Sequence, residues 1–598
     1  LFRPRHRLPR KDVMRLTALG HIAFLLELEP SDGARPVRIL SDPWLSDYAI
    51  GDHMGRFPRV RFDAASLSPL HGIFLSHSHT DHFDPYTLVR LWRELDPKPA
   101  ILIPESLSFL EPLIREFLAG AEVIVLRHLE DRDFHGVTLR AFFNPEMRAT
   151  NEDDVMVLVA DTGREVLVNE CDAVLPFYDP ETRALLRGML LRPEVETVVF
   201  LTAKNELEAT MSSLSAANLE DRLARVSRSI ERTYEEIEEI FASGAAERDD
   251  DEDDRDAEEN LADDDDLLDG DLEDAVDWDG DDEEPLASEA EEERQEAVAR
   301  SARSARSETA GDVRSSGGLD ESGDELHDED ETPPLWSDPR VVRLIGGQGM
   351  CYPQKIRPEW NRVLFPIRLP DRARMEREVA ESLGYPIAIE PFTPGMELTI
   401  EGGSIAGARR VEWLDLLDEE SDRAFDPKST IVDDFPIAPL RDEIRDEDAQ
   451  AELVRDLLDR RFLPALIGAR DPPVEHLLAE RGGTYRIRIR YGTRARFRDR
   501  DHVLRFARMR FTETDADASE PDEHYWANDI EDVVAGRADE FSVFCRRPLP
   551  APSRRFWSVL GLPYLNEDLI ERKLRLHFER ARDGLGLEEW ALAPYGER

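Results

Sequence analysis

The stretch FLSHSHTDHFDP, from Phe74 to Pro85, places His77, His79, Asp81 and His82 within six residues, directly after a short apolar run. Imidazoles two apart on an extended segment point the same way, so His77 and His79 can share one cation. Asp81 and His82, on the turn that follows, can hold a second cation close by. Metals so placed polarise a substrate oxygen and lower the pKa of a bound water toward neutrality, so that hydrolysis needs no protein nucleophile. On this reading Asp81 and His82 also stand nearest the chemistry. The competing reading, solvent-facing histidines ahead of a helix, leaves the spacing to chance.

The elements that must carry these residues are legible in the surrounding pattern. RLTALGHIAFLLELE and VRILSDPW read as buried strands, and GIFLSHSHTDH as a strand running into a loop. DPYTLVRLWREL reads as a helix beginning at Pro85, and PAILIP as the next strand. HGVTLRAFF, DVMVLVAD, REVLVNECD and ETVVFLTA continue the β series, and an amphipathic helix is expected over 219–244. RVVRLIGGQGMCYP reads as a strand entering a Gly-rich turn. Beyond it, TYRIRIRYG and HVLRFARMRF read as strands and EDLIERKLRLHFERA as a helix. The arginine at every second position of YRIRIRY is the expected wet face of a half-buried strand.

The chain has 598 residues and a formal net charge of −53, but the charge is concentrated. Residues 247–331 hold 39 acidic and 7 basic residues, −32 of that total. Such a block repels itself and cannot bury enough apolar surface to fold, so it is expected to be a disordered acidic insertion. The remainder is a moderately acidic globular protein, which argues against a general nucleic-acid binder and leaves a basic protein as the expected partner of the insertion. No apolar run is long enough to span a bilayer. The basic N-terminus LFRPRHRLPR has no apolar segment after it and does not read as a secretory signal. Cys171, Cys351 and Cys545 form neither a CxxC pair nor a disulfide framework, which suits a reducing cytoplasm.

The strand–HxHxDH–helix arrangement resembles the metallo-β-lactamase superfamily. GHIAFLLE and LSDPWLSD, followed by LSHSHTDHFDPYTL, resemble its branch of N-acylphosphatidylethanolamine phospholipase D, ascorbate-phosphate lactonase and, most of all, CMP-N-acetylneuraminate hydroxylase. The resemblance covers roughly residues 15 to 245 and 337 to 400. It implies an α/β fold, an αβ/βα sandwich. With the composition and element pattern, the expected organisation is a first part at 12–245, the acidic insertion at 246–336, completion of the sandwich at 337–430 and a C-terminal α+β domain at 431–598. The resemblance implies His77 and His79 as ligands of a first metal, Asp81 and His82 as ligands of a second, Asp172 as a bridging carboxylate and Asp42 as an orienting group. The implied cofactor is a divalent metal, one or two ions, most simply Zn2+, with iron or manganese as alternatives.

Two departures thin the expected shell. Asn144, in NPEM, stands where the family offers a histidine, and an amide oxygen is a poorer zinc ligand. The only histidine between Asp172 and Cys351 is His327, inside the acidic segment, so the family's late histidine has no candidate. The Cys-His spacings of an iron–sulfur domain are also missing, so the hydroxylase's oxygen chemistry is not carried over. His21, His53, Arg56 and Asn144 remain as candidate contacts for a small-molecule substrate, a cation beside a metal suiting a phosphate or carboxylate. The leading expectation is therefore a metal-dependent hydrolase acting on an ester, lactone or phosphodiester. The alternatives are a metal-bearing accessory or redox partner without an iron–sulfur domain, and a binding or scaffold protein with a degenerate site. Substrate identity and oligomeric state are not legible in the sequence.

Overall fold

The structure is a computed structural model that describes residues 13–30, 35–49, 54–56, 58–142, 157–171, 180–203, 230–234, 237–238, 335–347, 350–351, 369–416, 443–464, 483–519, 521–537 and 567–583. The expected acidic insertion lies outside the described residues apart from its last two positions. The chain divides into a unit of Leu1–Leu219 with Asp338–Arg598 and a unit of Glu220–Ser337. In the second unit, residues 230–234 and 237–238 of the expected long helix are helical. There Glu238 accepts the backbone N–H groups of Leu335 and Trp336, and the Trp336 ring meets Tyr234 edge-on.

The first unit is built on two mixed sheets. One has the order Ser404–Arg410, Met396–Glu401, Met14–Gly20, Ala23–Leu28, Val37–Ser41, Gly72–Phe74, Ala100–Pro104, Val123–Leu126, and its last four strands run parallel. The other has the order Arg132–Phe134, Val137–Phe142, Val157–Asp161, Glu165–Cys171, Thr197–Ala203, Val341–Gly346, Ala388–Pro391, again with four parallel strands at one side. Facing residues of the two sheets, among them Leu16, Phe24, Phe74 and Leu102 against Leu139, Leu167, Leu201 and Leu344, form one buried core. Strands buried on both faces read as near-continuous apolar runs, which is why AILIP and VVRLIG are so uniformly hydrophobic.

A second core lies on the outer face of the first sheet, where Leu40, Ile73 and Ile101 meet the helices Pro85–Glu94, Glu111–Phe117 and Glu567–Arg582. Helix Pro85–Glu94 starts where the sequence predicts. Asp84 caps it by accepting the Tyr86 N–H at 3.0 Å, Pro85 needs no hydrogen bond in the first turn, and Leu88, Leu91 and Trp92 form its buried stripe. Helix Leu369–Leu383 packs on the second sheet through strands Val341–Gly346 and Ala388–Pro391. The layering is thus helix, sheet, sheet, helix, as expected for an αβ/βα sandwich.

Two strand expectations change in detail. RLTALGHIAFLLELE is a hairpin, Met14–Gly20 and Ala23–Leu28, turned at His21 and Ile22. HVLRFARMRF is broken by a turn at 506–509, with Met509 in the left-handed region, so Arg496–Arg505 and Arg510–Asp515 pair with each other. The resulting C-terminal sheet, order Arg510–Asp515, Arg496–Arg505, Thr484–Thr493, Glu523–Trp526, buries Ile487, Ile489 and Tyr491 against helix Glu447–Asp456. Its other face carries the alternating arginines. Arg488 is bound to Asp501 and Arg490 to Asp499, each through two hydrogen bonds, and Arg486 also reaches Asp501. Asp499 and Asp501 on the neighbouring strand, with Asp517 on Arg486, therefore balance the three arginines. No helix among the described residues is long and apolar enough to cross a membrane.

Candidate metal centre

Parallel strands present their carboxyl ends along one edge, the usual place for a site in a mixed α/β sheet. Strand Gly72–Phe74 ends there and runs into the histidine segment, which coils tightly: the N–H groups of His82 and Phe83 both bond the His79 carbonyl, at 3.0 and 2.6 Å. That coil turns His77, Asp81 and His82 inward, where all three are buried, and leaves His79 half-buried. Strand Val37–Ser41 ends beside it and delivers Asp42; strand Glu165–Cys171 arrives from the second sheet and delivers Cys171; the hairpin turn delivers His21.

The side chains form a continuous cluster. Asp42 accepts the Ser76 N–H at 2.7 Å, and its other oxygen lies 3.3 Å from the Cys171 sulfur and 3.5 Å from His82 Nδ1. Ser76 Oγ lies 2.9 Å from His77 Nδ1 and 3.3 Å from the Cys171 sulfur. Asp81 Oδ2 lies 3.2 Å from His21 Nε2 and 3.6 Å from His82 Nε2. Two sets of ligand-type atoms result, His77–His82–Cys171 and His21–Asp81–His82, each with its members within 4.8 Å of one another. Ser76 and Asp42 occupy the Nδ1 sides of His77 and His82, the placement that orients a ligating imidazole through its far nitrogen. The Cys171 thiol donates to the Asp42 carboxylate.

Electrostatics follow from burial. Desolvation, reinforced by the neighbouring His82 and His79, pushes His77 well below its ordinary value, so its ring is neutral and can act as a lone-pair donor. Burial works to raise Asp81, but the adjacent His82 and His21 rings outweigh it and hold the carboxyl well below the usual carboxylate range. Asp81 Oδ1 and His21 Nε2 are buried with no hydrogen bond among the described residues. Buried polar atoms without partners are costly, and a cation is one way to satisfy them. A donor set of imidazoles, a carboxylate and a nearby sulfur fits zinc or iron better than magnesium or calcium.

Three of the six non-glycine residues with positive φ among those described sit in this cluster: His21 at 52°, Asp42 at 43° and Cys171 at 50°. Strained backbone of this kind persists only where surrounding structure holds it. Buried pairings brace the strand that carries Cys171: Glu170 lies 3.6 Å from Arg343, which bonds Glu376 at 2.8 Å.

Of the residues singled out from the sequence, His77, Asp81, His82, His21 and Asp42 converge here and His79 stands at the rim, its ring 4.7 Å from that of His77. Arg56 is buried and its guanidinium donates to the carbonyls of Trp44 and Leu19; burial lowers it to about 10, still a cation at neutral pH. His53, Asn144 and Asp172 lie outside the described residues. Cys171 and Ser76 were not singled out by sequence reasoning. Their only signals are position, Ser76 between a strand and the first histidine and Cys171 at the end of a strand with an apolar VLV centre.

No protein-family model matches the chain. A curated protein of Mycolicibacterium smegmatis named "Putative Rieske 2Fe-2S iron-sulfur protein" is 29% identical over 92 residues, 15% of this chain and 16% of its own length. Among solved structures, CmlA, a diiron beta-hydroxylase from Streptomyces venezuelae, overlaps 35% of this chain and 36% of its own at 20% identity and a TM-score of 0.23. The metallo-beta-lactamase fold protein YhfI from Bacillus subtilis overlaps 33% of this chain and 72% of its own at 12% identity and a TM-score of 0.21. Similarities at these TM-scores do not assign a fold. The chain covers about a sixth of the curated relative's length.

Proposed function

We propose that this chain is a metal-dependent hydrolase of the metallo-β-lactamase superfamily, acting on an ester, lactone or phosphodiester bond of a small molecule. The observation that carries the reading is the convergence of buried His77, Asp81 and His82 at the carboxyl ends of parallel strands, backed by Ser76 and Asp42. His77, His79, Asp81 and His82 would hold the metal, with Asp172 as the further carboxylate that the family resemblance supplies. A divalent cation bound there acidifies a water and draws charge from a substrate oxygen. The protein's own part is positional and electrostatic. Ser76 and Asp42 face the inner nitrogens of His77 and His82 and fix both rings. Asp81, held ionised, balances positive charge in a site where burial excludes bulk water and strengthens every electrostatic contact.

The test uses the purified full chain: elemental analysis, then hydrolysis of a p-nitrophenyl ester, a lactone and bis(p-nitrophenyl) phosphate. The expected result is stoichiometric zinc, iron or manganese and activity on one class that Asp81→Asn abolishes. Activity untouched by that substitution would refute the reading.

A second reading, a metal-bearing accessory or redox protein, draws support from the 92-residue likeness to the iron–sulfur protein. Against it, none of Cys171, Cys351 and Cys545 has a histidine two residues on, so the chain offers no cysteine–histidine pair for such a cluster. Iron with a reducible optical spectrum would favour it.

A further inference from the structure

We propose that His21 supplies an imidazole ligand, through Nε2, to the cation held by Asp81 and His82. The inference rests on the reading of a metal centre given above and adds a residue from a hairpin turn of the first sheet, with one strand between that hairpin and Gly72–Phe74.

Three observations point there. First, one atom organises the set: Asp81 Oδ2 lies 3.2 Å from His21 Nε2 and 3.6 Å from His82 Nε2. Nitrogen and oxygen ligands at about 2.0–2.1 Å from a tetrahedral zinc lie about 3.3–3.4 Å apart. The two observed separations bracket that edge length, and all three residues offer ligand-type atoms within 4.8 Å of one another. Second, the His21–Asp81 approach is a close charge contact of a ring nitrogen and a carboxylate oxygen. Neither His21 nitrogen makes a hydrogen bond among the described residues, and the side chain is fully buried. Nε2, the nitrogen that faces Asp81 Oδ2 at 3.2 Å, is the one a cation shared with that carboxylate would satisfy.

Third, the backbone goes to some length to place this side chain. His21 is held in the left-handed region at φ 52°, its carbonyl accepts the Gly347 N–H at 3.0 Å, and its ring stands edge-on to Trp44 with centroids 5.6 Å apart. Arg56 secures the flanks, donating to the carbonyls of Leu19 and Trp44, the residues on either side of the approach. Gly20, at φ 110°, leaves the room this requires, since a Cβ there would stand 2.7 Å from the guanidinium. The hairpin tip, the loop after Val37–Ser41 and the Gly-rich turn after Val341–Gly346 all bear on this one residue. Arg56 and Trp44 are thus positioning residues for His21.

The test is metal binding by the full chain, with Co(II) and Zn(II) as probes. Metal-free wild type, His21→Ala and His21→Gln are titrated against a chromophoric chelator. The Co(II) forms are then read by proton NMR for hyperfine-shifted, exchangeable imidazole N–H signals, with circular dichroism as the check on folding. The expected result is an affinity at least about 10–100-fold weaker in either folded variant and one fewer shifted imidazole signal. The glutamine variant keeps the side-chain volume, so a folding failure of the alanine variant does not end the test. If a folded variant keeps affinity within about twofold and the full set of shifted signals, His21 is not a ligand while the metal centre stands. A wild type that takes up neither metal overturns the centre itself, and the inference with it.

Discussion

Asp42 offers the sharpest way to separate scaffold from charge in this cluster. It is fully buried, sits at φ 43°, accepts the Ser76 N–H at 2.7 Å and approaches the Cys171 sulfur and His82 Nδ1 with its second oxygen. Asp42→Ala removes the acceptor and leaves the Ser76 N–H buried and unsatisfied, which costs about 1–3 kcal/mol. It also puts an ordinary L-residue in the left-handed region without the local polar compensation that Asp and Asn bring, about 1 kcal/mol more. The expected loss is therefore about 2–4 kcal/mol. Asp42→Asn keeps tolerance of the left-handed backbone and an oxygen for Ser76, and is expected to cost about 1 kcal/mol or less in stability. It removes the charge facing His82, however, so metal affinity is expected to fall about 10–100-fold in both variants. Urea unfolding of the metal-free chain and chelator competition measure the two quantities separately. Equal stability losses for the two substitutions, or an alanine variant within about 0.5 kcal/mol of wild type, would refute the account.

Two further outcomes concern the fold. His577 is held well below its ordinary value by burial and by the neighbouring Arg580 and Lys573, and burial depresses His502 and takes His524 to about 4. The unfolded chain binds protons at these positions below pH ~6.5 while the native state does not, so their contribution is complete above that pH and declines as pH falls. Urea midpoints are expected to drop between about pH 7.5 and 5.5, with a shallower drop in His577→Gln; an identical slope in that variant would count against this assignment. Gly403, at φ 71° in the turn between Met396–Glu401 and Ser404–Arg410, has the Pro339 carbonyl where a Cβ would go, 2.1 Å away. Gly403→Ala meets backbone rather than a flexible side chain and is expected to lower stability by more than about 2 kcal/mol, read as a melting-temperature loss of several degrees. An unchanged melting temperature would show that the turn can shift.

The sequence by itself determined what depends on neighbours along the chain. Apolar runs marked the strands, Asp84-Pro85 marked the start of the helix, and the spacing within HSHTDH marked a ligand-rich turn, because periodicity and capping act over a few residues. Even there it under-read the hairpin at His21 and the turn at Met509, since a left-handed residue other than glycine leaves little trace in composition.

Tertiary structure decided which of the marked residues meet. Asp42 and His77 come together because strands 37–41 and 72–74 lie side by side in parallel; Cys171 comes from the facing sheet; His21 comes from a turn whose partner strands are antiparallel. The register of one hairpin set Arg488 opposite Asp501 and Arg490 opposite Asp499, giving a row of cations its carboxylate partners. Arg56, a candidate substrate contact by its charge, spends that charge on two backbone carbonyls. Contacts of this kind are fixed by strand order and layer packing across tens to hundreds of residues, and no local pattern encodes them.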